Sequence, residues 1–127
     1  MRLHPEARTF PGLLIWRVGG DLFFASIGHM ETALKRSLAE TQPSAERVLL
    51  DFSAVNYIDV SACDELISFI KELKSRDITV AFARVRDPVR QNMQLRQIET
   101  VTSPADFHER ITDGVTAWQR RGSDKPT

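Results

Sequence analysis

Residues 47–66 read RVLLDFSAVNYIDVSACDEL, and this stretch decides the fold. The run Val48-Leu49-Leu50 is too short for a helix, and its unbroken apolar character is typical of a strand covered on both faces of a parallel sheet. After a short loop, Ser61 predicts the N-cap of a helix, with Asp64 three residues later. Apolar residues then recur at helical spacing as far as Leu73. The stretch therefore predicts a buried strand, a loop and an amphipathic helix.

The segments before this unit predict further elements. Leu13–Val18 and Asp21–Ala25 are strand-like runs on either side of Gly19-Gly20, and two glycines between such runs predict a tight hairpin. Gly28–Glu40 is predicted to be a helix with apolar residues on one side, and Glu31–Lys35 has the spacing of an ion pair along that helix.

The segments after the unit alternate in the same way. Ile78–Ala83 is β-branched and apolar, and it predicts a second buried strand. Asp87-Pro88 marks the start of a helix. Thr100–Thr102 is predicted as a short edge strand, and Phe107–Trp118 as the last helix. Together these elements predict an α/β fold with a mixed, mainly parallel sheet, an N-terminal antiparallel hairpin and about four helices.

Length, charge and composition restrict the possible functions. The 127 residues correspond to a single domain, and the 17 basic and 17 acidic side chains cancel, so no net field attracts nucleic acid. One cysteine, Cys63, cannot form an internal disulfide and fits a reducing compartment. No run reaches the roughly 18 apolar residues that a membrane helix needs, and the polar N-terminus does not have the pattern of a signal peptide.

Metal and hydrolytic chemistry find no support in the spacing of the side chains. The histidines His4, His29 and His108 lie in three separate segments, without the paired spacing of metal ligands. Glu65 lies with Asp64 in the predicted first helical turn, where the helix dipole favours acids. We therefore expect no metal site, no catalytic residue and no enzymatic activity.

The loop at the carboxyl end of the central strand is the candidate binding edge, because ligands of open α/β sheets bind there. We predict a partner-facing or ligand-facing loop that contains Asn56, Asp59, Val60, Ser61 and Asp64. An anion at the following helix N-terminus would also have neighbours from other segments, namely Ser26, Gly28, His29, Arg84 and Arg86. The alternative is structural, with Ser61 as a cap and Asp59 stabilising the loop or the helix dipole.

The basic segment at residues 84–96 has two possible interpretations. A solvated face is the simpler one. Contact with an acidic partner or with lipid headgroups is the alternative.

The same stretch also resembles the STAS domain. The shared pattern is an apolar strand, Asp51-Phe52-Ser53, a short gap, Ile58-Asp59-Val60-Ser61 and an amphipathic helix. STAS domains occur in bacterial anti-sigma-factor antagonists and in the cytoplasmic tails of SulP-type sulfate and anion transporters. Pro11-Gly12 before an apolar strand and the Leu22–Ala25 run resemble the transporter branch. The resemblance covers roughly Pro11 to Trp118.

The resemblance carries expectations about phosphorylation and nucleotides. In the antagonist branch, the residue after the aspartate is a serine or threonine that a partner kinase phosphorylates. Val60 occupies that position and has no hydroxyl, so no phosphorylation is expected there, and Ser61 is not the expected acceptor. Some transporter-type STAS domains are thought to bind guanine nucleotides, which here would use the helix that begins at Ser61. No other cofactor is expected.

The resulting hypothesis is a regulatory domain of a SulP-like transporter, located in the cytoplasm at the inner face of the membrane. Its partner would be the membrane domain of the parent transporter or a cytosolic regulatory protein, and not a nucleic acid. The alternatives are a free-standing anti-sigma-factor antagonist or partner-switching protein, and a nucleotide-responsive sensor. The predicted organisation is a linker at residues 1–10, the domain at 11–120 and a flexible tail at 121–127.

Overall fold

The computed structural model describes residues 7–121, which form one five-stranded sheet covered by helices. The strands are β1 (Ala7–Phe10), β2 (Leu13–Arg17), β3 (Arg47–Asp51), β4 (Thr79–Ala83) and β5 (Phe107–His108). The helices are α1 (Phe24–Glu40), α2 (Val60–Ser75), α3 (Asp87–Leu95) and α4 (Ile111–Arg120), with 3₁₀ turns at Ile98–Thr100 and Pro104–Asp106.

The spatial order of the strands follows the order of the chain. β1 pairs with β2 antiparallel, and each later neighbour pairs in parallel. The predicted fold class, a mixed and mainly parallel sheet with an N-terminal hairpin and four helices, is therefore confirmed.

Both faces of the sheet are covered, and this explains the unbroken apolar run in β3. Val48 and Leu50 belong to the larger core cluster, which also contains residues of α1, α2 and α3. Leu49 belongs to a smaller cluster that is closed by Trp118 of α4. Because side chains alternate between faces, a strand between two layers needs apolar residues at every position. Burying each such side chain contributes roughly 1.5–3 kcal/mol.

The predicted position of the hairpin is wrong. The antiparallel turn lies at Pro11-Gly12 and joins β1 to β2, whereas Asp21–Ala25 forms no strand. Leu22 makes a single parallel bridge to Ile58, and α1 begins two residues later. The run Leu22–Ala25 does not continue as a strand. Instead, the backbone N–H of Phe24 donates a hydrogen bond to the side chain of Asp59, which lies in a distant segment of the chain.

The predicted edge strand is also wrong. Thr100 is the last residue of a 3₁₀ turn, and Val101 and Thr102 follow that turn without forming a strand. The edge strand is β5, which pairs with β4. Phe107, predicted to lie in the last helix, is part of β5 and stacks on Phe82 of β4 with ring centroids 4.8 Å apart. Local periodicity could not reveal this contact, because its partner lies 25 positions earlier in the chain.

The remaining boundaries differ from the predictions by a few residues. α1 begins four residues before the predicted Gly28, and α4 begins at Ile111. Ala7–Phe10, which the sequence assigned to a linker, forms β1. The rest of the predicted linker, and all of the predicted tail except Arg121, lie outside the described residues. The domain boundaries otherwise stay a prediction.

Helix α4 is fixed to the hairpin and packs closely on the sheet. The indole Nε1 of Trp118 donates a hydrogen bond to the carbonyl oxygen of Pro11 at 2.9 Å. Gly114 lets the helix approach the sheet, because a Cβ there would come within 2.6 Å of Leu49 Cδ2. Gly12 has a left-handed φ of 79°, and an added Cβ would lie 2.8 Å from Trp118 Cζ2. The hairpin turn and α4 are thus mutually constrained.

We predict that Gly12→Ala lowers the free energy of unfolding by at least about 1 kcal/mol, because it combines a left-handed φ with a steric clash. Urea unfolding of the 127-residue chain measures this. Gly20→Ala is the matched control, since a Cβ at Gly20 meets nothing within 4 Å and its φ is not left-handed. An equal loss in both variants would contradict the proposed constraint at Gly12.

Candidate functional site

The loop between β3 and α2 is held in place by the side chain of Asp21. Its Oδ1 accepts hydrogen bonds from the backbone N–H groups of Asn56 (2.7 Å) and Tyr57 (3.1 Å). The neighbouring Leu22 and Ile58 form their parallel bridge with both side chains buried. The segment that leads into α1 and the segment that leads into α2 therefore run side by side at the carboxyl edge of the sheet.

Asp59 joins the N-termini of two helices through one carboxylate. Its Oδ1 accepts a hydrogen bond from the backbone N–H of Ala62 in α2 at 2.7 Å. Its Oδ2 accepts from the backbone N–H of Phe24 in α1 at 3.2 Å. A negative charge at a helix N-terminus satisfies an unpaired donor and interacts favourably with the helix dipole, and here it does so for both helices.

The prediction that Ser61 is the N-cap of this helix is wrong. The N-cap is Asp59, the helix begins at Val60, and Ser61 is an exposed residue of the first turn. Serine and aspartate are equally good caps by local preference. The second helix end, which only the tertiary structure brings to the same point, explains why aspartate fits this position.

An exposed apolar patch surrounds this junction, and we define it as Phe23, Phe24, Tyr57 and Val60. The exposed fractions of these four residues are 46%, 62%, 47% and 55% respectively. The rings of Phe23 and Tyr57 are in contact, with centroids 5.7 Å apart. Four large apolar side chains gathered at one edge are more often an interaction surface than a single exposed apolar residue is.

An ion pair flanks the patch on the side of α3. The guanidinium of Arg96 donates two hydrogen bonds to the carboxylate of Asp64, at 3.0 and 2.8 Å. The bond from Arg96 lowers the pKa of Asp64, so this carboxyl stays ionised. Asn92 of α3 donates from Nδ2 to the carbonyl oxygen of Ile58 at 3.3 Å. Helix α3 is thus tied both to the loop and to the first turns of α2.

No contact among the five predicted anion-binding residues is recorded in the described part of the chain, and those with polar contacts make them elsewhere. Ser26 uses its hydroxyl within the first turn of α1, where it donates to the carbonyl oxygen of Phe23. Gly28 and His29 are exposed on α1. Arg86 donates from Nη2 to the carbonyl oxygen of Ser53 at 3.0 Å, and so supports the loop after β3. These four residues remain predictions as ligand contacts.

Arg84, the fifth predicted contact, lines a cleft near β5. It has a left-handed φ of 62° and borders a cleft of about 400 Å³ at the ends of β4 and β5. The guanidinium of Arg90 lies 3.5 Å from the centroid of the Phe107 ring in the same cleft. Burial lowers the pKa of His108, which also lines it. Asp87 and Glu109 bring acidic groups to this space, so its charge is mixed.

Reactive groups are few in the described part of the chain. Burial raises the pKa of the Cys63 thiol to about 11, so this side chain stays protonated at neutral pH and acts as a small core residue. Within residues 7–121, no group of three or more His, Cys, Asp or Glu side chains is placed to hold a metal ion. Over the same residues, no helix combines the length and the apolar character needed to cross a bilayer.

Sequence reasoning missed three residues of this edge. Asp21, Phe23 and Phe24 belong to a short run with two aromatic residues, and this pattern predicts a strand. The available signal was an acid immediately after Gly19-Gly20, since aspartate commonly accepts backbone N–H groups in loops. The pairing of Arg96 with Asp64 left no signal, because the two residues are 32 positions apart.

Comparisons with known proteins identify the relatives of this chain. A family model described as the STAS domain matches residues 4–112. A probable sulfate transporter 4.2 from Arabidopsis thaliana is 29% identical over 124 residues, which are 91% of this chain and 18% of the relative. The chain thus spans about a fifth of the length of the curated relatives it matches.

Solved structures share the fold at low sequence identity. The STAS domain of a SulP transporter from Vibrio cholerae has a TM-score of 0.72 and 16% identity, over 93% of this chain and 89% of that one. An anti-sigma factor antagonist from Mycobacterium paratuberculosis has a TM-score of 0.69 and 18% identity, over 93% and 99%. Both functional classes therefore have the architecture seen here.

We predict that Asp59→Ala lowers the free energy of unfolding by about 1–2 kcal/mol or more, because two helix N-termini lose an acceptor at once. Asp59→Arg should also destabilise the isolated chain, because it removes the same two acceptors. Ser61→Ala is the control and should change stability by less than about 0.5 kcal/mol, since Ser61 is exposed. Urea unfolding measures all three variants. A larger loss at Ser61 than at Asp59 would show that the cap is wrongly assigned.

Proposed function

The chain belongs to the STAS domain family, and from this premise we propose that it is the regulatory, non-catalytic domain of a SulP-like sulfate transporter. Its place would be the cytoplasm, at the inner face of the membrane. Anion passage would then belong to the membrane-spanning segments of the parent protein, and this domain would act by contacting them or a cytosolic regulator.

Two kinds of observation support the transporter assignment. The curated relative named above is a probable sulfate transporter from a plant. The family position that carries a phosphorylated hydroxyl in antagonists is Val60 here, which is 55% exposed. An exposed valine at the N-terminus of α2 offers an apolar contact and no phosphate acceptor. A permanent contact surface therefore fits this edge better than a phosphorylation switch.

The apolar patch is the observation that carries the proposal about binding. Its four side chains gather around Asp59, which fixes the two helix ends beneath them. We assign partner contact to the patch together with the predicted loop residues Asn56, Ser61 and Asp64. Asp59 would act mainly as the support of this surface, because its two carboxylate oxygens are already engaged.

The two alternatives, an anti-sigma-factor antagonist and a nucleotide sensor, have less support from the observations. Likeness to antagonist structures shows the fold alone, and Ser61 is the exposed hydroxyl nearest to the family position. A guanine nucleotide at the N-terminus of α2 would need cations there, but Arg86 is engaged with Ser53 and Arg96 with Asp64. Arg84 lines the separate cleft near β5.

We predict that Phe24→Ser together with Val60→Arg impairs sulfate uptake while leaving the domain folded. The measurement is uptake by cells that lack their own sulfate transporters and carry the parent gene. Removing central apolar contacts from an interface typically costs about 2 kcal/mol or more, which corresponds to roughly 30-fold in binding. Urea unfolding of the 127-residue chain should change little, because both side chains are exposed.

Leu95→Ser is the matched control, because Leu95 is 77% exposed and lies outside the patch. Uptake should stay at the wild-type level in this variant. Wild-type uptake in the patch variant as well would refute the patch as the working surface. A parent gene that supports no uptake, together with stoichiometric phosphate on Ser61 after treatment with an anti-sigma kinase and ATP, would favour the antagonist alternative.

A further inference from the structure

A cleft at the carboxyl ends of β4 and β5 carries charged side chains of both signs. We call it the β5 cleft, and the residues that line it include Arg84, Val85, Asp87, Arg90, Phe107 and Glu109. Its volume of about 400 Å³ lies within the range of roughly 300–1,000 Å³ that small-molecule sites occupy. The carboxyl end of parallel strands is also where ligands of open α/β sheets bind. None of the four residues of the apolar patch lines this cleft.

The guanidinium of Arg90 is the best-placed binding group of the cleft. It lies 3.5 Å from the centroid of the Phe107 ring, which itself stacks on Phe82, so the planar group is held against a fixed surface. Its Nε atom is buried and has no hydrogen-bond partner among the described residues. The carboxylate of Glu99 is 3.9 Å from Nη2, which is too long for a hydrogen bond. Leaving a buried donor without an acceptor is costly.

An oxyanion is the acceptor that fits such a group best. A guanidinium presents its N–H groups as a planar fork, which matches the two oxygens of a carboxylate or of a phosphate. The side chain of Arg90 is 23% exposed and lines the cleft, so a ligand can reach it from there. An oxyanion on the terminal nitrogens also offsets the charge at Nε, because that charge is delocalised over the whole guanidinium.

Arg84 brings a second cation to the cleft from a strained backbone. Its φ of 62° is left-handed, which is unfavourable for a residue with a Cβ atom. Its backbone N–H donates to the carbonyl oxygen of His108 at 3.0 Å and so ties this turn to β5. The side chain is exposed and forms no ion pair within residues 7–121. Strained residues of this kind cluster at ligand-binding sites.

Asp87 and Glu109 bring two carboxylates to the same cleft. Both are exposed, and neither forms an ion pair with another described residue. Burial lowers the pKa of His108, the other titratable group that lines the cleft, so this imidazole is largely neutral at pH 7. A purely anionic ligand would therefore be attracted by two arginines and repelled by two acids. A ligand that carries both charges is attracted by all four groups.

We propose that the β5 cleft binds a small zwitterion, whose simplest form is an α-amino acid. Its carboxylate would pair with Arg90 and Arg84, and its ammonium group with Asp87 and Glu109. Val85 supplies apolar surface for the carbon atoms of the ligand. The proposal does not depend on the transporter function, because the cleft and the apolar patch share no residue. A regulatory domain with this site would respond to the concentration of a solute.

The first test is an NMR titration of the 127-residue chain with L-valine, followed through the backbone amide signals. We expect saturable shifts at residues 84–87 and 107–109. Isovalerate lacks the ammonium group of valine and isobutylamine lacks its carboxylate, so each should bind at least about tenfold more weakly. The absence of saturable shifts with both L-valine and glycine would overturn the proposal. So would isovalerate or inorganic sulfate binding as tightly as L-valine.

The second test removes the central cation. Arg90→Met keeps an unbranched apolar chain against the Phe107 ring but has no charge and no N–H donor. We expect it to weaken L-valine binding at least about tenfold. Arg36→Met is the matched control, because Arg36 is exposed on α1 and does not line the cleft. Wild-type affinity in Arg90→Met, or an equal loss in both variants, would contradict the assignment.

The third test separates binding from folding. Glycine adopts a left-handed φ without strain, so Arg84→Gly should keep or raise the stability measured by urea unfolding. Its affinity for L-valine should nevertheless fall several-fold, because a cation is lost. Gln97→Gly is the matched control, since Gln97 has a φ of 65° and lies outside the cleft. It should bind L-valine as the wild type does. Wild-type affinity in Arg84→Gly would overturn the proposal, and this variant decides the matter should Arg90→Met fail to fold.

Discussion

The carboxylate of Asp59 is the constraint on which the working edge of the domain depends. It accepts backbone N–H groups from the first turn of α2 and from the start of α1, which are far apart in the chain. Without it, two helix ends would leave donors unpaired at one place. Its position also fixes the bridge between Leu22 and Ile58, because the backbone N–H of Asp59 donates to the Leu22 carbonyl oxygen. One side chain thereby determines where both helices begin.

The sheet beneath these helices is covered on both faces. Residues of β3 alternate between the larger cluster under α1–α3 and the smaller one under α4. The closure of the smaller face depends on close approach, which Gly114 allows, and on the Trp118 hydrogen bond to Pro11. The face covered by α4 thus fixes the hairpin, while the opposite face carries α1 and α2, whose first residues form the site.

The exposed patch is a local departure from what stability alone would favour. Exposed aromatic side chains at a helix start gain little from burial. Such departures tend to mark functional positions, because the stable surroundings can tolerate them. Here the patch lies where α1 and α2 begin, while the opposite face of the sheet is occupied by packing contacts.

The sequence by itself determined the strand at Arg47–Asp51, the presence of α2, the fold class and the STAS resemblance. These rest on hydrophobic periodicity and on a contiguous motif, which local reading captures well. The tertiary structure alone decided that Asp59 and not Ser61 is the cap, that Phe24 starts a helix, and that Phe107 joins the sheet. In each case the deciding partner lies far away in the chain. Such partners supply hydrogen bonds and ring contacts that override local preference, and no spacing rule within one segment can reveal them.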